Sequence, residues 1–254
     1  PSLDVANGVT FTVSGTTVIP SAGSGSSSTI TTGGGTSGEF ITNGITINGS
    51  GSAGRNSILS IPAGGTFTTT NGITFAGTAG QARLNASAGG TINLTGTMSA
   101  GGTLSINAAA TVYTTNTTVI NNAATYGILS VDSGTTTLGA VATTFAGAVS
   151  VANGATLTVS SATGAKVFTG GVNVDTNGVF DLRTGSSFAT VSTFGGDIVA
   201  NGATFDSGGG AVTISGTGTL TLSGSSNISL GGTMTIPTNR TIVNSNTGTV
   251  TVGA

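Results

Sequence analysis

Large apolar and small polar residues alternate along most of this chain. Near its start, Val9, Phe11 and Val13 are separated by Thr10 and Thr12. Alternation with a period of two, carried by β-branched and aromatic residues, predicts β-strands. The pattern returns in TFTTT (66–70), TINLTG (91–96), ATLTV (155–159) and TLTL (219–222). No stretch carries a helical period long enough to cover a sheet, so the sequence predicts an all-β fold.

A longer repeat is superimposed on this alternation in the second half of the chain. Phe145, Phe168 and Phe194 each lead into a glycine, a run containing Val or Ile, an Asn-Gly pair and a second alternating run. The three phenylalanines are 23 and 26 positions apart. This spacing is typical of chains built from stacked copies of one supersecondary unit. It predicts that Val149 stacks on Val172 and that Phe145 stacks on Phe168.

Asn-Gly and Gly-Gly pairs separate the alternating runs and supply the positive φ angles that tight turns and corners need. Such pairs suit antiparallel hairpins as well as the corners of a parallel coil. Because like residues recur head to tail, we favour the coil: a single-stranded parallel β-helix, or β-solenoid, with irregular rungs and loop insertions. We expect one such domain over residues 1–254, with a Gly/Ser-rich loop or insertion at about 20–39.

The amino-acid composition limits the classes of function that this chain can have. Charged residues are 5% of the chain, against roughly 25% in an average globular domain. We expect inward Val, Ile, Leu and Phe to fill a narrow core, and outward Thr, Ser and Asn to form ladders that satisfy one another. A net charge of −2 provides no basic surface for phosphates, which argues against nucleic-acid binding.

Two residue types that the chain lacks exclude further kinds of site. The absence of cysteine and histidine removes disulfides, thiolate metal sites and the commonest general base. No apolar run reaches the roughly 18 residues of a membrane-spanning helix. We therefore expect a non-enzymatic protein without a membrane span.

Acidic residues are the candidates for a site. Four of the seven lie between 175 and 206, near Arg183. Asp175, Asp181 and Asp206 are candidate calcium ligands, because carboxylate oxygens suit Ca²⁺. Together with Arg183 they would also suit a carbohydrate-active enzyme that uses paired carboxylates. We favour a third interpretation, in which they are solvated rung or corner residues, so no catalytic residue is predicted and calcium is the sole candidate cofactor.

One resemblance adds to these patterns. The segments GAVSVANGATLTV (147–159) and GGVNVDTNGVFDL (170–182) resemble passenger domains of autotransporters and of filamentous-haemagglutinin-like bacterial surface proteins. The resemblance is clearest over 140–206. It implies a right-handed parallel β-helix that is secreted to the extracellular space or displayed on the cell surface.

The leading hypothesis is an extracellular structural protein, a subunit of a surface fibre or matrix that associates with copies of itself. The ends of a solenoid are unpaired strand edges, which can pair with a neighbouring subunit. The expected assembly residues belong to the first and last strands: Leu3, Val5, Val9, Phe11, Val13, Val250 and Val252.

Other hypotheses remain open at this point. One is an adhesin-type binding module that recognises a glycan or a host surface through loops at 20–39, 48–56 and 114–127. Another is an ice-binding solenoid, suggested by recurrent Thr-x-Thr, for example at Thr10/Thr12 and Thr66/Thr68. The third is the carbohydrate-active enzyme, which would depend on Asp181.

Overall fold

The structure is a computed structural model whose described residues cover most of the chain up to residue 182 and the strands beyond it. They are 2–21, 27–33, 38–49, 55–77, 81–99, 103–106, 110–120, 125–139, 141–159, 164–182, 192–194, 198–201, 204–206, 212–214, 220–223, 227–230, 234–235, 242–244 and 250–252. After residue 182 the description covers the backbone alone.

The chain comprises two compact units: unit one is 1–113 with 118–127, and unit two is 114–117 with 128–254. The strands of unit one are β1 (Ser2–Val5), β2 (Thr10–Ile19), β3 (Ser28–Thr32), β4 (Glu39–Gly49), β5 (Ser57–Ile61), β6 (Thr66–Thr69), β7 (Gly72–Gly77), β8 (Ala82–Ala86), β9 (Thr91–Met98), β10 (Thr103–Ile106) and β12 (Thr125–Tyr126). Strand β11 (Thr111–Ile120) contributes to both units. The strands of unit two are β13 (Ile128–Val131), β14 (Thr135–Leu138), β15 (Thr143–Phe145), β16 (Val149–Val151), β17 (Thr156–Val159), β18 (Lys166–Phe168), β19 (Val172–Val174), β20 (Val179–Asp181), β21 (Ser192–Phe194), β22 (Ile198–Asn201), β23 (Thr204–Asp206), β24 (Val212–Ile214), β25 (Leu220–Ser223), β26 (Asn227–Leu230), β27 (Met234–Thr235), β28 (Ile242–Asn244) and β29 (Val250–Val252). The single domain expected over 1–254 stays a prediction.

In unit one the strands stack in parallel columns. One column is the five-stranded sheet β1-β3-β5-β8-β10. A second column contains β2, β4, β6 and β9, and β7 pairs with the later parts of β4 and β9. Strands pair with strands one turn away along the chain, so the backbone winds as a solenoid. The predicted all-β parallel solenoid is confirmed.

Unit two repeats the arrangement over about six turns. One column is β13-β16-β19-β22-β25-β28, a second is β14-β17-β20-β23-β26-β29, and a third contains β15, β18, β21, β24 and β27. The predicted stacking is confirmed, because Val149 is the register partner of Val172 and Phe145 that of Phe168. Phe194 continues the same column beside Phe168.

Aromatic stacking fills the interior of unit two. The rings of Phe145 and Phe168 are both fully buried and lie 5.3 Å apart at an interplanar angle of 11°. Phe180 meets Phe168 edge-on at 5.3 Å. Each strand alternates buried and half-buried residues, as the period of two requires. The sequence repeat therefore corresponds to the stacking of side chains from successive rungs in the core.

A four-residue corner joins successive faces in both units. In each copy the fourth N–H donates to the first carbonyl at 2.8–3.2 Å, and the third residue has a positive φ of 58–76°. The copies are Ala6–Val9, Pro62–Gly65, Ser87–Gly90, Ala152–Ala155 and Asp175–Gly178. The Asn-Gly pairs at 7–8, 153–154 and 177–178 therefore lie in corners, with an offset that varies, whereas Asn43-Gly44 lies within strand β4. Gly154 takes the positive φ in one copy, whereas Asn177, rather than Gly178, takes it in the next, because asparagine tolerates this conformation.

Hydrogen bonds connect polar side chains on both sides of the sheets, and the buried hydroxyls without a partner among the described residues are those of Ser28 and Thr32. Outside, the Thr68 hydroxyl donates to Glu39 at 3.0 Å and the Asn93 amide donates to Thr68 at 3.0 Å, which forms the expected ladder. Inside, we expected Val, Ile, Leu and Phe to fill the core, but polar residues are buried there as well. Thr42 and Thr69 are buried, and their hydroxyls donate to nearby backbone carbonyls at 3.0–3.3 Å.

The stretch 20–39, expected to be a loop or insertion, contains a strand. Strand β3 pairs in register with β1 and β5. Its buried positions are Ser28, Ile30 and Thr32, so small polar residues occupy two sites where the sequence pattern would show large apolar ones. Residues 22–26 and 34–37 lie outside the described residues.

Candidate functional site

The first rung of unit one, formed by β1 and β2, is paired on one edge. Strand β1 pairs with β3 and β2 pairs with β4, and no pairing on their other edges is found among the described residues. In a parallel ladder, alternate residues direct both backbone groups to the same side. Because Glu39 N–H donates to Val9 O, the backbone groups of Thr10 and Thr12 face the free edge. This edge is a template for a further strand.

An aromatic column ends at the same edge. The rings of Phe11, Phe40 and Phe67 stack with centroid separations of 6.0 and 5.9 Å. Phe40 and Phe67 are fully buried, whereas Phe11 is 41% exposed. Phe11 therefore occupies a core position whose outer side no described residue covers. Covering the rest of the ring would contribute about 1 kcal/mol.

Val9 distinguishes this rung from the next ones. The register places Gly38, Gly65 and Gly90 at the same corner position. A Cβ at Gly65 would lie 2.8 Å from the Thr32 carbonyl oxygen, in the preceding rung. Val9 carries a side chain here and is 46% exposed. Val9 therefore presents a side chain at the corner where the following rungs carry glycine.

A cleft of about 270 Å³ opens beside this edge, lined by residues of β1, the end of β2 and the start of β3. Ser28 lines it, and its buried hydroxyl has no hydrogen-bond partner in the described part of the chain. Val18, at 54% exposed, forms another part of the lining. We call the free edges of β1 and β2, with Val9, Phe11 and Val18, the head surface.

The predicted assembly residues differ in their exposure and in the strands to which they belong. Val9 and Phe11 lie on the head surface and are exposed, while Leu3 and Val13 are half-buried. Val5 is buried inside the first rung and presents no surface. Val250 and Val252 lie in β29, which pairs with β26. Sequence reasoning missed Val18 and Ser28: the exposure of Val18 depends on its neighbours in space, and Ser28 looks like a loop residue.

The predicted calcium candidates are brought together only in part. Asp181 and Asp206 are register partners in adjacent strands, β20 and β23. Asp175 is an exposed corner residue whose carboxylate accepts a 3.5 Å hydrogen bond from Asn173. No group of three metal-ligating side chains is found among the described residues, and Arg183 lies outside them. That these acids are solvated rung or corner residues stays a prediction.

The loops expected for a binding module are partly strands. Residues 48–49 end β4, residues 114–120 belong to β11, and 125–126 form β12. Residues 50–54 and 121–124 lie outside the described part of the chain. In β11, β-branched threonines favour the strand, and Asn116 supplies a positive φ of 54° within it.

The Thr-x-Thr motifs do not form an unbroken array. Between Thr10/Thr12 and Thr66/Thr68, the register places Glu39 and Ile41 on the same face. A regular array of threonine hydroxyls, as an ice-binding face would need, is thus interrupted after one rung.

Comparisons with known proteins add no identification. No protein-family model, no curated protein and no solved structure matches the chain. No helix among the described residues is long and apolar enough to cross a membrane.

Proposed function

We propose that this chain is a non-enzymatic, extracellular structural subunit that assembles end to end into a fibre or matrix. The observation that carries the proposal is the head surface, where a buried aromatic column ends in the exposed Phe11 beside an unpaired strand edge. The likeness of the 147–159 and 170–182 repeats to passenger domains of bacterial surface proteins supports an exported location.

The other partner of the contact is the last rung of a second copy, formed by β28 and β29. In unit two the column position of Val250 is held by Leu157, Phe180 and Ile228 in other rungs. Leu157 and Phe180 are buried there. For parallel addition of a second copy we pair Val250 with Phe11, because Val250 shares the column position of the buried Phe180 and Phe11 stacks on the buried Phe40.

Such a contact joins two different surfaces of the subunit. Heterologous contacts that do not close into a ring produce open filaments. Natural sheet edges are usually protected by charged residues or proline. Strand β2 contains neither in its ten residues, and β1 carries only Asp4. Little charge on these two strands would therefore oppose end-to-end pairing.

Replacing Phe11 with aspartate is expected to raise the concentration needed for assembly by at least about tenfold, because a carboxylate would be buried without a partner. Light scattering across a concentration series, with negative-stain electron microscopy of the same samples, measures this. Tyr113→Asp is the matched control, since Tyr113 is an exposed aromatic residue outside the head surface.

A second variant separates loss of assembly from loss of folding. Thr12→Pro removes an N–H that faces the free edge and leaves the bonds between β2 and β4 in place. We expect it to block growth while circular dichroism stays unchanged. A parent protein that stays monomeric at high concentration and forms no filaments would show the proposal to be wrong.

A further inference from the structure

Lys166 is the sole lysine of the chain, and it is fully buried. It begins β18, where its register partners are Thr143 in β15 and Ser192 in β21. Burying an ammonium group away from water is costly unless it is paired and hydrogen-bonded. A lone lysine at a core position of a chain so poor in charge therefore requires a physical explanation.

Backbone carbonyls surround the Lys166 amine. Its Nζ donates to Gly139 O at 2.8 Å and to Val141 O. A neutral amine has two hydrogens to donate, whereas an ammonium group has three. Either form can therefore donate to both carbonyls, and these two contacts join the 139–141 segment to β18.

No carboxylate of the described residues pairs with this amine. In unit two the acids whose side chains are described are Asp132, Asp175 and Asp181. Asp132 is exposed and accepts a 2.6 Å hydrogen bond from Ser130, and Asp175 is an exposed corner residue. Asp181 lies on β20, in another column than β18. Burial lowers the pKa of Lys166 from 10.5 to about 8.

We propose that Lys166 is a proton-controlled clamp of unit two: its amine holds the 139–141 segment against β18, and the cost of burying its charged form makes the folded unit less stable when the amine is protonated. The direction follows from linkage. The folded state binds the proton less tightly than the unfolded state, so the penalty of the buried charge is complete below about pH 8 and fades as the pH approaches 10.5. Stability therefore increases with pH between these limits.

The direct test is a titration followed by NMR on protein labelled with ¹³C-lysine. A single lysine gives a single Cε signal, so assignment needs no variant. We expect a midpoint near pH 8 in the folded protein and near 10.5 in urea. A folded midpoint at or above 10 would overturn the proposal, even if every Lys166 variant failed to fold.

The second test compares urea unfolding at pH 7 and pH 9.5. The unfolding constant of the parent protein is expected to fall by about 25-fold between these pH values, and Lys166→Met should lose this dependence. Tyr126→Phe is the control and should keep it. Burial raises the pKa of Tyr126, so its contribution is lost only above about pH 10, outside the window. A parent protein whose stability is flat or falls over this range would contradict the clamp.

Discussion

Replacing Gly72 with alanine is expected to destabilise unit one by more than about 4 kcal/mol. Gly72 has a φ of +89°, which L-residues rarely adopt. A Cβ there would lie 2.2 Å from the carbonyl oxygen and 2.6 Å from the nitrogen of Thr97, its register partner in the next rung. These are backbone atoms of a stacked strand, so relief requires the two rungs to separate.

Two other glycines of unit one serve as controls. Gly8 has a φ of +73° but open space around its Cβ position, so Gly8→Ala should cost about 1–2 kcal/mol. Gly15 has open space and no positive φ, so Gly15→Ala should change stability by less than about 1 kcal/mol. Urea unfolding followed by circular dichroism ranks the three. Equal costs at Gly72 and Gly8 would mean that the rungs do not approach each other as closely as described.

Replacing Phe40 with alanine is expected to cost about 3–5 kcal/mol. Phe40 is fully buried between the rings of Phe11 and Phe67, so its removal leaves a cavity bounded by rings on both sides. Relaxation is limited because each neighbouring ring is fixed by its own strand in the ladder.

Phe11→Ala is the matched control in the same column. Phe11 stacks on one ring only and is 41% exposed, so under dilute conditions the change should cost less than about 2 kcal/mol. Thermal or urea unfolding of both variants gives the difference. Similar losses of unfolding free energy in the two variants would contradict the exposure of Phe11, because they would require Phe11 to be enclosed as fully as Phe40.

Stacking in unit two was predictable because large side chains repeat at the period of the coil. Phe145 and Phe168 stand at like positions in their rungs, and the same holds for Val149 and Val172. An inward side chain that is identical in successive rungs identifies the register directly. Where inward positions are small or polar, as at Ser28 and Thr32 in β3, this signal disappears and the strand looks like a loop.

Corner geometry and the head surface were harder to predict. The positive φ moves from Gly154 to Asn177 between two successive corners, and an Asn-Gly pair does not reveal which of its residues takes it. The exposure of Phe11 depends on the neighbours of its rung and not on its own strand, which begins with the same TFT as β6. Lys166 was missed because lysine usually indicates a solvated position, although the period of two places it on the same face as Phe168.

End-to-end stacking in the ladder register is tested most directly by a disulfide between copies. The chain contains no cysteine, so Thr12→Cys and Thr251→Cys can be introduced without side reactions. Each residue stands one strand position beyond the residue that the proposed contact pairs, Phe11 in β2 and Val250 in β29. Stacked rungs place such partners about 4.8 Å apart, within the span of a disulfide.

The double variant is expected to give a ladder of covalent oligomers on non-reducing electrophoresis, which collapses to monomer with reductant. Either single variant should stop at dimers, because one cysteine cannot propagate a chain. If the oxidised double variant at high concentration gave only monomers and dimers, end-to-end assembly in this register would be contradicted.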